Sequence, residues 1–237
     1  MIIEKIQELK KELHKKKKEN RTIGFVPTMG YSIFVNPTQF APNEDFESYP
    51  RDLKRDSELA YQSGADIIFH PSIEEMYPAE SSTFVEVTGQ ITQVLCGKSR
   101  PTHFKGVTTV VNMLFNIVQP DRAYFGQKDA QQVAVLQKMV TDLHMNVELV
   151  VCPIVREEDG LAMSSRNIYL SKKERKQALI LNQSLCEAEK LYKSGQRDSE
   201  VLKQYITEKI ASMPLATIDY VSIYKYPLLK ETQIINS

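Results

Sequence analysis

The chain has 237 residues, 42% hydrophobic and 25% charged, with 30 basic residues against 30 acidic ones. That is enough apolar content for one large domain or two modest ones, and the charge balance leaves no bulk field to draw nucleic acid or an acidic membrane surface. Any anionic ligand must be held by local groups. Three cysteines, Cys96, Cys152 and Cys186, are odd in number and in no CxxC spacing, which disfavours a disulfide framework or a zinc site and fits a reducing compartment. The first twenty residues, "MIIEKIQELKKELHKKKKEN", are charged throughout and lack the apolar stretch of a signal peptide. No segment approaches ~18 consecutive apolar residues. A soluble, cytoplasmic protein is expected.

Taken in chain order, Ile2, Ile6, Leu9 and Leu13 follow helical spacing, and Lys15 to Lys18 fall in the last turn of that helix, where cations complement the dipole. The Lys run reads as a solvated helix end or, alternatively, as a phosphate or nucleic-acid patch. "TIGFV" (22–26) and "SIFV" (32–35) read as two short strands separated only by "PTMGY". Parallel strands need a crossover of a dozen or more residues, so these two form either a tight hairpin or a pair from which a connecting unit is missing. "RDLKRDSELAYQSGADIIFHP" predicts a helix stopped near Gly64 and a strand over Asp66–Phe69. The run from Gly106 to Pro153 predicts helix, strand, helix, strand. Alternation of this kind implies a parallel sheet covered by helices. From Ser171 the character changes: Ser171 and Glu174 form a capping-box pair opening a long helix to about Tyr192, a second helix spans about Asp198–Ser212, and "TIDYVSIYKY" reads as a late strand. A domain boundary is expected near Val155, giving residues 1–154 and a smaller α+β domain over 155–237.

Four irregular stretches stand where strands or helices end, the usual place of ligand sites in open parallel sheets: "PTMG" (27–30), "FVNPTQF" (34–40), "YFGQKDAQQ" (124–132) and "DGLAMSSRN" (159–167). In the third, Gly126, Lys128 and Asp129 stand at a strand-to-helix junction with Gln132 one turn on, either a phosphate cradle of free N–H groups and a Lys or an ordinary turn. In the fourth, two hydroxyls and a guanidinium either stabilise a phosphate chain or form a polar turn. Gln39 is either a substrate-facing amide or a loop-packing residue. The four histidines, His14, His70, His103 and His144, show no metal spacing, and only His103 lies beside a basic turn. No GxSxG, HExxH or GxxxxGK[ST] pattern occurs.

In order along the chain, "GFVPTMG", "SIFVNPTQF", "YPRDLKRD", "RPTHFKGVTTVVNMLFNIVQPDRAYFGQKDAQQ" and "VREEDGLAMSSRNIYLS" resemble the pantoate–β-alanine ligases, with the likeness running from Thr22 to about Tyr224. The resemblance implies a Rossmann-like α/β fold of the nucleotidyltransferase type and a homodimer. The implied reaction makes pantothenate from pantoate, β-alanine and ATP with Mg²⁺. It implies that Gln39 and Gln132 hold pantoate, with Gln39 also facing β-alanine. It implies that Gly126, Gln127, Lys128, Asp129, Val155, Met163, Ser164, Ser165 and Arg166 surround ATP, and that Pro27, Thr28, Met29 and Gly30 line the nucleotide pocket. Lys128, Ser164, Ser165 and Arg166 are then the catalytic charge stabilisers.

The family's His-x-Gly-His motif, expected after "PTMG", is absent. A stretch of roughly 20–30 residues, the size of a crossover unit, is missing between Gly30 and Ser32. The chain also stops at "ETQIINS", short of the family's last strand and basic tail. If the missing stretch belongs to the protein and is merely left out of the sequence, a chain break is expected at Tyr31–Ser32, with the strands around Phe25 and Phe34 parallel in one sheet. If it is deleted, the alternative is a non-catalytic nucleotide- or pantoate-binding protein. A third reading, a nucleotidyltransferase acting on a phosphorylated substrate, is disfavoured by the uncharged Gln39 and Gln132.

Overall fold

The structure, a computed structural model, describes residues 1–27, 33–41 and 44–236. The Tyr31–Ser32 join, with Thr28, Met29 and Gly30, lies outside the described residues. The chain divides into two compact units, Met1–Pro153 and Ile154–Ser237.

The first unit is built on parallel strands. β1 (Ile2–Ile3) is followed by helix α1 (Ile6–Lys18), β2 (Gly24–Phe25), a 3₁₀ turn at Pro37–Gln39, α2 (Leu53–Gln62) and β3 (Ile68–Phe69). Short helices α3 (Ile73–Met76) and α4 (Cys96–Ser99) precede α5 (His103–Val118), β4 (Arg122–Gly126), α6 (Ala130–Asp142) and β5 (Glu148–Cys152). β4 lies between β2 and β5, with Gly24 opposite Arg122 and Gly126 opposite Cys152, while β1 pairs with β3. β3 follows β2 in the chain yet pairs elsewhere, and the chain returns to place β4 beside β2. Asp121 reinforces this pair, its carboxylate accepting from Ile23 N at 2.7 Å. One core joins both sheets: Ile3, Phe25, Phe69, Ala123 and Phe125 pack with Leu9 and Leu13 of α1 and Val133, Leu136 and Met139 of α6. Helix α5 is buried along most of its length, as its run "VTTVVNMLFNIV" requires.

Two expectations for this unit need correction. Ile2 belongs to β1 rather than to the first helix. Ile68 N bonds Met1 O and His70 N bonds Ile3 O, and the helix starts where the Glu75 carboxylate caps Ile6 N at 2.8 Å. A partner some 70 residues away thus sets a boundary that periodicity placed earlier. The described part of "SIFV" is no regular strand, and it does not pair with β2: Ile33 N bonds Phe69 O at 3.1 Å, beside β3. A single such bond leaves the segment without a ladder. Phe34 instead satisfies its burial by packing against the core and Tyr77.

In the second unit, Val155–Met163 forms a hairpin closed at Glu157–Gly160, followed by a 3₁₀ turn at Ser165–Tyr169, α7 (Lys172–Ala178), α8 (Ile180–Lys193) and α9 (Ser199–Ala211), with β6 (Tyr224–Lys225) antiparallel to β7 (Lys230–Glu231). The Ser171–Glu174 capping box forms as expected. The single long helix does not: it breaks at Leu179, because the two parts serve different partners. α7 has no buried residue and turns Arg175 to the hairpin, whereas α8 packs Ala188 against Leu202, Ile206 and Ile210 of α9. The late strand shrinks to Tyr224–Lys225, since Ile218, Val221 and Ile223 pack on that same helical core instead of joining a ladder.

Candidate active site

β2 and β4 pair in parallel, so their carboxyl ends lie at the same edge of the sheet. Pro27 follows β2 and is buried. β4 ends at Gly126, where an added Cβ would meet nothing within 4 Å and φ is −77°. Neither packing nor backbone geometry requires glycine there, so the space above it is open to a ligand. Gln127–Asp129 is a 3₁₀ turn leading into α6, all four residues from Gly126 to Asp129 are exposed, and Asp129 makes no side-chain cap. The first N–H groups of a 13-residue helix are thus left without a side-chain acceptor, and Lys128 stands among them with Nζ 3.3 Å from Asp129 Oδ1.

The turn bearing Gln39 is held by residues that the motif reading did not single out. Asn36, 2% exposed, accepts through Oδ1 from Thr38 N, Thr38 Oγ1 and Tyr77 OH, and donates through Nδ2 to Gly106 O at 3.2 Å. The Asn-Pro pair was the available signal, since such pairs open turns. Arg100 pairs with Glu44, whose carboxyl is held below its usual range chiefly by that hydrogen bond. Arg100 and His103 both bond the Gln39 carbonyl, at 3.1 and 2.9 Å.

Gln39 and Gln132 are both half-buried, and neither side-chain amide bonds to a described residue. The neighbouring Gln131 is structural: it donates to Ile91 O and Val94 O and accepts from Cys96 N, pinning the loop ahead of α4. His70 bonds Ile33 O at 2.6 Å, and His14 and His144 are exposed. The three cysteines form no disulfide.

Within the second unit, Val155 and Met163 are cross-strand neighbours, Met163 N bonding Val155 O at 3.0 Å, and both are exposed, at 64% and 54%. Two large apolar side chains left in water on one hairpin suit a flat ligand face. Ser164 caps the next turn through Arg166 N, so Ser164, Ser165 and Arg166 follow the hairpin directly. Arg175 clamps the turn through Glu157 at 2.6 Å and Asp159 at 2.7 Å, and Asn167 bridges Glu157 to Ala162 O. Arg175 is the main cause of the lowered Glu157 pKa, and the Leu161 N–H of the lowered Asp159 pKa.

Parallel strands β2, β4 and β5 alternating with helices, with an uncapped helix start after a glycine-ended strand, define a Rossmann-like α/β protein. The sequence profile of the family described as pantoate-β-alanine ligase matches residues 31–236. The chain belongs to that family, whose members join pantoate to β-alanine. It is 57% identical to the pantothenate synthetase of Acetivibrio thermocellus, over 94% of this chain and 86% of the relative. That alignment runs over 243 positions, so about 20 positions of the relative have no counterpart among the residues matched here. The crystal structure of pantothenate synthetase from Thermus thermophilus superimposes with a TM-score of 0.93 at 40% identity, covering 100% of this chain and 91% of that one. A Francisella tularensis pantoate-β-alanine ligase, complexed with β,γ-ATP and β-alanine, gives 0.74 at 33% identity, covering 88% and 85%. No helix among the described residues is long and apolar enough to cross a membrane.

Proposed function

We propose that the chain condenses pantoate with β-alanine in two steps. The pantoate carboxylate attacks the α-phosphorus of ATP and diphosphate leaves. The β-alanine amine then attacks the pantoyl adenylate and AMP leaves. Neither step needs a protein nucleophile, so catalysis rests on in-line positioning and charge stabilisation. Gln39 and Gln132 bind pantoate, with Gln39 also facing β-alanine. By the family likeness, Pro27, Thr28, Met29, Gly30, Gly126, Gln127, Lys128 and Asp129, and Val155, Met163, Ser164, Ser165 and Arg166, are assigned to ATP. Mg²⁺ accompanies ATP and draws charge from its phosphates. No group of three or more His, Cys, Asp or Glu side chains among the described residues forms a metal cage, and an ion carried on phosphate oxygens needs none. The enzyme acts as a cytoplasmic homodimer.

The observation that supports this reading is the helix start after Gly126, open above the glycine and without a side-chain cap, in a chain whose family is pantoate-β-alanine ligase. Purified protein is expected to form AMP and diphosphate from ATP only with pantoate present, and to release pantothenate once β-alanine is added. Equal AMP formation without pantoate would sink the assignment. The second reading, a binding protein without turnover, is favoured by one observation: none of the four histidines forms a His-x-Gly-His motif. Pantoate and ATP binding with no AMP release would select it.

Gln132→Ala is expected to weaken pantoate by about 1–3 kcal/mol, the cost of a partner left unpaired in a half-dry pocket, and to leave ATP nearly unchanged. Separate titration of the two ligands checks this. A loss confined to ATP would relocate the pantoate site.

A further inference from the structure

The reaction as written leaves one motif unused, Arg100 and His103 in "RPTHFKG". His103 opens α5 and is half-buried, edge-on to Phe104 with ring centroids 5.0 Å apart. Its Nδ1 lies 2.9 Å from Gln39 O, and its Nε2 lies 3.4 Å from Arg100 Nη1. A carbonyl only accepts and a guanidinium only donates, so the partners set the tautomer. Nδ1 carries the proton and donates to Gln39, while Nε2 keeps its lone pair for Arg100. Arg100 Nη2 gives the same carbonyl a second donor at 3.1 Å, and Glu44 fixes Arg100 from its other side. Gln39 O is a free carbonyl at the end of a 3₁₀ turn, and two side chains from more than 60 residues away close it.

We infer that His103 is a positioning residue for pantoate: with Arg100 it anchors the Gln39 backbone so that the Gln39 amide faces the substrate. The inference rests on the assignment of Gln39 to pantoate. Protonation would set an N–H against an N–H and a second cation against Arg100. The charged groups facing the ring are Arg100 on its own loop, Glu44 on the segment before α2, and Asp129 at the β4–α6 junction. Burial is the largest influence and pushes the ring's pKa below its ordinary 6.5; Arg100 pushes the same way, while the Gln39 carbonyl, Glu44 and Asp129 oppose them. The Nδ1 proton is on the ring in both charge states, so the bond to Gln39 O survives titration and only the 3.4 Å contact with Arg100 Nη1 is lost on protonation.

The test measures pantoate and ATP KM for diphosphate release in wild type, His103→Ala, His103→Phe, His103→Asn, Gln39→Ala and the Gln39→Ala/His103→Ala pair. His103→Ala and His103→Phe are expected to raise the pantoate KM about tenfold, the scale of one lost hydrogen-bond donor, with the ATP KM within about twofold. Asparagine offers a donor near the position of Nδ1 and does not titrate, so His103→Asn should restore most of the affinity. In the Gln39→Ala background, His103→Ala should add nothing. A wild-type pantoate KM in His103→Ala, no recovery in His103→Asn, or a further loss in the double variant would each overturn the inference. An unchanged pantoate KM in Gln39→Ala would sink the pantoate assignment itself, and the inference with it.

Discussion

Replacing Lys128 with alanine is expected to slow pantoyl-adenylate formation by ~10²-fold or more, the scale of losing one well-placed charge stabiliser. The ammonium stands at the start of α6, where the helix leaves its first N–H groups without a side-chain acceptor and Gly126 leaves the space above open. Adenylation develops charge on the phosphates as diphosphate departs, and a cation fixed at that point is worth most in the transition state. Folding stability should hardly change. The Lys128 side chain is 40% exposed and its ion pair with Asp129 is solvated, a class of pair worth ~0–1 kcal/mol. Single-turnover adenylation and a thermal melt of the same variant separate the two effects. Near-normal adenylation would reduce Lys128 to a turn residue.

Gly106→Ala is expected to destabilise the protein and to impair pantoate binding, although the substitution lies inside a helix where alanine ordinarily gains ~1 kcal/mol over glycine. The added Cβ would stand 2.3 Å from Thr38 O, 2.5 Å from Thr38 C and 2.8 Å from Gln39 N. Those are backbone atoms, which cannot swing aside as a side chain can. The Pro37–Gln39 turn must move, and the Asn36 bond to Gly106 O moves with it. Overpacking of this kind costs typically ~1–3 kcal/mol or more, which exceeds the helix gain and should lower the melting temperature by several degrees in a chain of this size. Because the displaced turn carries Gln39, the pantoate KM should rise well beyond the ATP KM. A variant as stable as wild type, with unchanged pantoate affinity, would show that the close approach of α5 to this turn relaxes freely.

How much of this was legible beforehand follows from the range of each interaction. The Ser171–Glu174 box spans three residues and formed as read, and the helix-strand alternation from α5 to β5 could be read because each element carries its own apolar period. The start of α1 could not, since Glu75 sets it, and neither could the break at Leu179, since α7 and α8 answer to different partners. Gln131 and Gln132 are adjacent and chemically identical in sequence. Only the fold shows that one is consumed by Ile91, Val94 and Cys96 while the other keeps its amide unused among the described residues.

The sequence by itself determined the class of fold, the motif blocks and the family they belong to, because these reside in local patterns and in the order of short residue strings. Tertiary structure decided which groups meet. It brought Asn36 to Tyr77 and Gly106, closed the Gln39 carbonyl with Arg100 and His103, and set Arg175 across the hairpin that ends at Met163. Each is a hydrogen bond or close contact between residues far apart in the chain, with no short-range signature. Its strength depends on geometry and dehydration that exist only once the helices and sheet have packed.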